Sequence, residues 1–181
     1  MDWREQLMLS MFRVLRVLRM DRILAHALQL STSTHRFTDY FTGMERVEAV
    51  REIFGERTDD VLRNLKVDLT WAGGYMWVNG ADGRLMISSK YLNQGDRVDI
   101  YLDLIHELVH VKQFMEGKEL FDSHYSYAAR PTEVEAYRVA VREARRMGLS
   151  DERICEYLKT EWMSDEELRQ LAKTLNVDCK H

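Results

Sequence analysis

Residues 103–114 read DLIHELVHVKQF and place two histidines in a run that is otherwise mostly Leu, Ile, Val and Phe. The run lies in a predicted helix over 97–116, with Asp96 as the expected N-cap and Gly117 as the expected residue beyond its end. Because most of its circumference is apolar, the helix should be buried. Its polar side chains recur at spacings of three and four and form one stripe, which carries histidines and carboxylates rather than the usual Lys, Glu and Arg.

His106 and His110 lie one helical turn apart on this stripe, with Glu107 directly after the first histidine. Histidines at i and i+4 project in the same direction, close enough together to bind one tetrahedral zinc ion. Glu107 then lies beside the open position of the metal, where it can deprotonate an activated water molecule rather than bind the ion. This HExxH pattern on a helix predicts a catalytic zinc site with Glu107 as the general base.

A catalytic zinc ion needs a third protein ligand. The metzincin continuation of the motif requires Gly at position 113 and His at position 116, where this chain has Gln113 and Glu116. Metzincins are therefore excluded. His124, in the loop that follows the motif helix, is one candidate for the third ligand, although an ordinary polar loop residue would look the same.

Two glutamates on the next helix, which is predicted over 132–147 after Pro131, are better candidates, and they point to nearly opposite sides. Thr132 and Glu135 match a T-x-x-E capping box, which gives Glu135 a structural role of its own. Glu133 shares a helix face with the apolar residues that should pack on the motif helix. We therefore expect Glu133 to be the third ligand, with Glu135 as the alternative.

HELVH at 106–110, followed by Glu-x-Glu-Ala on the next helix, resembles the gluzincin zinc peptidases over about residues 84–145. The spacing is similar to that of the ImmA/IrrE-type and CAAX-protease-type peptidases. The resemblance implies a zincin-like fold, Zn²⁺ as the cofactor and a peptide or protein as the substrate. In those families the third ligand is the first Glu of an E-x-x-A-[D/N] pattern, and the Asp or Asn orients a zinc histidine. Glu133 falls on the ligand position, whereas Tyr137 replaces the Asp or Asn, and its hydroxyl could still accept from an imidazole N–H.

Hydrolysis also needs a donor for the oxyanion and a place for the substrate backbone. The loop between the two ligand-bearing helices offers three candidate donors, His124, Tyr125 and Tyr127. An extended substrate can add to the free edge of a sheet, and we expect it beside the strand RLMIS at 84–88.

Three short segments before the motif helix are rich in β-branched and aromatic residues: VDLTW (67–71), YMWVN (75–79) and RLMIS (84–88). They predict a small antiparallel sheet packed on the motif helix, with the last strand at an edge beside the metal. Further helices are predicted over 4–29, 44–55, 59–66, 150–160 and 164–175. The expected fold is α+β and mostly helical, a single zincin-like domain over 1–181 in which 1–66 supply N-terminal helices and 67–181 the sheet and the metal-binding helices.

The composition excludes several other classes of protein. The net charge is -4 and acidic and basic residues are mixed along the chain, so the sequence does not indicate a basic surface that would bind nucleic acid. Arginines interrupt every apolar window near the N-terminus, so we expect neither a signal peptide nor a transmembrane segment. Cys155 and Cys179 form neither a disulfide framework nor a zinc-site pattern, and we expect reduced thiols in a cytoplasmic protein. The oligomeric state is open.

These observations predict a zinc-dependent metallopeptidase in which Glu107 acts as general base. The alternative is a zincin-like domain that no longer cleaves and serves as a binding or regulatory module. The presence of Glu107 argues against that alternative, because a degenerate site usually loses this residue first. A third possibility is a helical scaffold in which HELVH is accidental.

Overall fold

The computed structural model describes residues 34–71 and 74–179, and the helix predicted over 4–29 lies outside them. The strands are β1 (Thr34–Arg36), β2 (Lys66–Thr70), β3 (Met76–Val78) and β4 (Leu85–Ser88). The helices are α1 (Phe37–Tyr40), α2 (Glu48–Phe54), α3 (Thr58–Asn64), α4 (Ser89–Gln94), α5 (Arg97–Met115), α6 (Pro131–Arg146), α7 (Asp151–Leu158) and α8 (Asp165–Thr174). Short 3₁₀ turns cover Met44–Arg46, Gly55–Arg57 and Tyr127–Ala129. A mainly helical chain with one small sheet confirms the predicted α+β class.

Helix α5 carries the HELVH motif and forms the centre of the core. The carboxylate of Asp96 accepts hydrogen bonds from the backbone N–H groups of Val98 and Asp99, at 2.9 and 3.1 Å, and so caps the helix as predicted. Gly117, with a φ of 73°, follows its end. Apolar side chains of α5 are buried on nearly every side, among them Leu104, Ile105 and Leu108 at 0% exposure.

Helix α6 packs along α5 through a run of small buried residues. Ala136, Ala140 and Ala144 are each fully buried, and small side chains allow two helix backbones to approach closely. The buried hydroxyl of Tyr101 on α5 also donates a 2.7 Å hydrogen bond to Glu143 on α6. The two helices that carry the predicted metal ligands are thus held side by side.

The remaining predicted helices also form. Those expected over 44–55, 59–66, 150–160 and 164–175 correspond to α2, α3, α7 and α8, whereas the short helices α1 and α4 were not predicted. Ser150 and Ser164 cap α7 and α8 through their side chains. Across residues 34–71 and 74–179, every helix is too short or too polar to cross a lipid bilayer.

The sheet differs from the prediction in its pairing. It has four strands in the order β1-β2-β4-β3, and β2 runs parallel to β4 while the other two pairs are antiparallel. A wholly antiparallel three-stranded sheet is therefore wrong. Placing the last strand at an edge is also wrong, because β4 lies between β2 and β3. Among the described strands, the edge next to α5 belongs to β3.

A tight contact fixes the β3–β4 hairpin on α5. The hairpin turn includes Asn79, whose side-chain oxygen accepts from the N–H of Ala81 at 2.9 Å. Gly83 follows with a φ of 72°, and a Cβ atom there would lie 2.5 Å from the ring of Phe114 on α5. Only glycine permits both this backbone conformation and this close approach. The contact brings β3 alongside the HELVH motif.

The oxidation state of the two cysteines differs from the prediction. Cys155 on α7 and Cys179 near the C-terminus form a disulfide, with Cα atoms 5.5 Å apart across 24 residues of sequence. The expectation of two reduced thiols is therefore wrong. The disulfide ties the segment after α8 back to α7.

Candidate metal centre

Helix α5 presents both motif histidines to one buried point. His106 and His110 are 5% and 6% exposed, and their Nε2 atoms lie 3.0 Å apart. The rings meet edge to face, with centroids 4.7 Å apart. Spacing of one helical turn and burial under α6 and β3 together produce this convergence.

Helix α6 adds a carboxylate to the same point. Glu133, 5% exposed, places Oε2 3.2 Å from Nε2 of His106 and 3.4 Å from Nε2 of His110. Tetrahedral zinc with bonds of about 2.0–2.1 Å requires ligand atoms about 3.3 Å apart. The three observed separations match that value, so this buried His–His–Glu group could hold a metal ion. Their roles as ligands stay a prediction.

Glu135, the rival candidate, lies elsewhere. Its carboxylate accepts hydrogen bonds from the side chains of Gln113 and Lys118, both at 2.9 Å. The capping box proposed for it is wrong, because α6 begins at Pro131 and Thr132 lies inside the helix, where its hydroxyl donates to the carbonyl of Leu120. Both glutamates contact α5, but it is the carboxylate of Glu133 that lies against the two motif histidines.

The two imidazoles differ in their outer contacts. Nδ1 of His110 lies 2.7 Å from Oε1 of Gln113, a fully buried side chain. Nδ1 of His106 is buried without a hydrogen-bond partner among the described residues. The sequence suggested that the Tyr137 hydroxyl could accept from an imidazole N–H, but it does not accept from this nitrogen. Instead, the Tyr137 ring packs against the His106 ring, with centroids 4.4 Å apart, and its hydroxyl pairs with that of Tyr127 at 3.0 Å.

Burial and mutual charge shift the pKa of each group at the centre. Burial lowers the pKa of His106. Burial alone would also lower the pKa of His110, but the nearby carboxylates of Glu133 and Glu107 outweigh it and raise that pKa to about 9. Burial would raise the pKa of Glu133, but the two imidazoles lower it well below the usual range. Without a metal, the centre therefore keeps an ionised carboxylate against a cationic His110.

Glu107 stands slightly apart from the triad. It is 7% exposed, and its Oε2 has no hydrogen-bond partner among the described residues. Burial raises the pKa of Glu107 to about 8, although a hydrogen bond from the backbone of Val78 on β3 opposes the shift. Without a metal, Glu107 is therefore mostly protonated at neutral pH, and a cation bound at the triad would favour its carboxylate form, the form that a general base needs.

Two adjoining clefts meet at Glu107 and His106. The larger, about 750 Å³, extends toward Asp103 and Tyr91, whose hydroxyl donates a 2.5 Å hydrogen bond to the Asp103 carboxylate. The smaller, about 300 Å³, runs past the triad. Met76 of β3 lines both clefts and Trp77 and Val78 line the smaller one, so β3, an edge strand of the described sheet, flanks the candidate centre.

The three candidate oxyanion donors differ in their exposure and in whether they line the clefts. Tyr127 lines both clefts together with Glu107. Tyr125 is 47% exposed and lines neither cleft. His124, with its side chain 89% exposed, pairs with Asp122 at 2.7 Å and is not a member of the His106–His110–Glu133 group. Of the three, Tyr127 is therefore the candidate donor that the clefts favour, and Glu133, not His124, joins the two histidines in the candidate ligand group.

Two residues at the centre had no role in the sequence-based predictions. Gln113 contacts His110, as described above. Arg130 is largely buried, lies 3.7 Å from Oε1 of Glu133 and lines the smaller cleft. Gln113 is one turn after His110, and Arg130 three residues before Glu133, so their spacing along each helix is the signal that could have identified them.

Comparison of the chain with protein-family models, with curated protein sequences and with solved structures gives no match. The resemblance to gluzincins accordingly stays a prediction, carried by residues 106–110 and Glu133.

Proposed function

We propose that this protein is a zinc-dependent metallopeptidase of gluzincin type that hydrolyses peptide bonds with Glu107 as general base. The observation that carries the proposal is the position of Glu107: a buried carboxyl with a free oxygen, beside a His–His–Glu group of tetrahedral spacing, at the junction of two open clefts. A purely structural metal site would have no use for such a carboxyl group or for access from two sides.

His106, His110 and Glu133 would hold the ion. A zinc ion bound there supplies Lewis acidity, which polarises a peptide carbonyl and lowers the pKa of water to about 7. Glu107 takes one proton from the attacking water while the water oxygen bonds to the carbonyl carbon. The hydroxyl of Tyr127 donates to the oxyanion that forms. Glu107 then passes its proton to the amine nitrogen as the carbon–nitrogen bond breaks, which restores the carboxylate.

The substrate backbone would lie along β3, the described edge strand beside the clefts, rather than along β4 as first expected. Strand addition of this kind uses backbone hydrogen bonds and suits any extended polypeptide, so a peptide or protein is the substrate class. The cytoplasmic location stays a prediction, and the disulfide between Cys155 and Cys179 counts against it, because disulfides are rare in that compartment.

The decisive experiment measures zinc content and casein hydrolysis on the same preparation, for the wild type and for Glu107→Gln. The substitution preserves shape but removes the base, so zinc should remain stoichiometric while turnover falls roughly a hundredfold or more. Glu119→Gln, an exposed change outside both clefts, is the matched control and should leave both unchanged.

The outcomes separate the alternatives. Stoichiometric zinc without hydrolysis in the wild type indicates a binding or regulatory module. Absence of zinc from a folded wild type indicates that HELVH is accidental. Unchanged turnover in Glu107→Gln would assign the activity to another site.

A further inference from the structure

Gln113 occupies a buried position between the two ligand-bearing helices. Its side chain is 0% exposed and makes three hydrogen bonds. On its own helix, Oε1 lies 2.7 Å from Nδ1 of His110. Toward α6, Nε2 donates to the backbone carbonyl of Thr132 at 3.0 Å and to the carboxylate of Glu135 at 2.9 Å.

These partners leave only one orientation for the Gln113 amide. A backbone carbonyl and a carboxylate both accept hydrogen bonds, so the NH₂ group of Gln113 must face them. Its oxygen then faces His110 and can only accept. Nδ1 of His110 must therefore carry the proton of that bond, and the lone pair of the neutral ring lies on Nε2, the atom that faces Glu133 and His106.

Glu135 anchors the amide from the other side. Its carboxylate binds Gln113 and also the ammonium group of Lys118 at 2.9 Å, and Lys118 in turn contacts Glu116 at 3.2 Å. A charged acceptor strengthens the hydrogen bond that Gln113 donates. The chain of contacts from Lys118 through Glu135 and Gln113 to His110 links α6 and the loop after α5 to one nitrogen of the candidate centre.

We propose that Gln113 is a positioning residue that fixes the tautomer and the ring orientation of His110, with Glu135 as its anchor. The proposal rests on the proposed metal centre but not on peptide hydrolysis. Outer hydrogen bonds of this kind orient imidazole ligands, and their loss typically costs 10–100-fold in metal affinity. Glu135, which the sequence alone left as a rival ligand, thus acts on the candidate centre through Gln113 and His110.

Two variants test the proposal in the full chain. Gln113→Met keeps the length of the side chain but removes all three hydrogen bonds. In the double variant Gln113→Glu/Glu135→Gln, the residue at 113 accepts from His110 and from the amide at 135, so the contact to Nδ1 is rebuilt. The hydrogen bond to the carbonyl of Thr132 is not rebuilt, because a carboxylate cannot donate to it. Gln170→Met, an exposed change on α8, is the control.

Zinc affinity measured by chelator competition should fall 10–100-fold in Gln113→Met and rise again in the double variant. Imidazole ¹⁵N NMR of the metal-free protein, at a pH high enough to leave the ring neutral, should show the Nδ1–H tautomer of His110 in the wild type and the double variant only. Circular dichroism confirms that each variant is folded.

An unchanged His110 tautomer in Gln113→Met overturns the proposal, whether or not zinc binds. A double variant that shows the Nδ1–H tautomer yet binds zinc as weakly as Gln113→Met also overturns it, because the tautomer would then not govern the affinity. Zinc affinity that depends on Gln113 in a protein without peptidase activity would support the proposal while refuting the proposed function.

Discussion

Glu107 should destabilise the metal-free protein at neutral pH, and replacing it with glutamine should relieve that cost. The side chain is 7% exposed, and burial raises its pKa to about 8 from an ordinary value of 4.5. In the folded state the carboxyl group therefore stays protonated across a range in which the unfolded chain has already released the proton. Between pH 4.5 and 8 the unfolded state binds fewer protons, and stability falls as pH rises.

The size of the effect follows from the width of that range. Each pH unit contributes about 1.4 kcal/mol, and pH 7 lies 2.5 units above the unfolded pKa of 4.5, which gives about 3 kcal/mol. The pKa of about 8 already includes the charge interaction with His110, which lowers it. Glutamine does not titrate, and Glu107→Gln should therefore be more stable than the wild type by up to this amount at pH 7 and by almost nothing at pH 4.5.

Urea unfolding of both proteins after removal of metal, repeated at pH 5, 6 and 7, measures the difference directly. Glu119→Gln should follow the wild type at every pH, because that side chain is exposed. A variant no more stable than the wild type at pH 7 would refute the argument. So would an advantage of the same size at pH 5, since titration of Glu107 could not then be its source.

Three other changes test the site and the fold. His110→Ala removes one of the three converging atoms and should abolish stoichiometric zinc; one equivalent retained after dialysis against a weak chelator would exclude this site. Replacing Cys155 and Cys179 with serine opens a disulfide across 24 residues and should lower the free energy of unfolding by about 3 kcal/mol in urea, and no loss would mean that the bond does not form. Tyr101→Phe leaves a buried oxygen of Glu143 without its donor and should lower the free energy of unfolding by about 2 kcal/mol, measured by thermal unfolding. An unchanged midpoint temperature would contradict this prediction.

The sequence predicted the features that depend on neighbouring residues. Asp96 and Gly117 marked the ends of α5 because capping is a local interaction. The helical period placed His106 and His110 on one side, and the same reasoning selected Glu133 over Glu135 from the face that each occupies on α6. None of these inferences needed to know how distant segments meet.

Features that depend on distant segments were missed. The parallel pairing of β2 with β4 joins strands separated by the whole of β3, and nothing in their residue patterns distinguishes it from antiparallel pairing. Strand β1 lies in a polar segment without apolar alternation, where packing rather than propensity decides the conformation. The spacing of Cys155 and Cys179 likewise carries no information about how close the sulfur atoms come. The contact of Gln113 with Glu135 arises only once α6 is docked.

The three candidate ligands come from two helices that are consecutive in the chain, with Glu133 only 23 residues after His110. This arrangement bears on the rate of folding as well as on the final state. Closing a loop of that length costs little chain entropy. If the centre binds zinc as proposed, the ion would join α5 to α6 across this short loop, so zinc in the refolding buffer should accelerate refolding as well as slow unfolding.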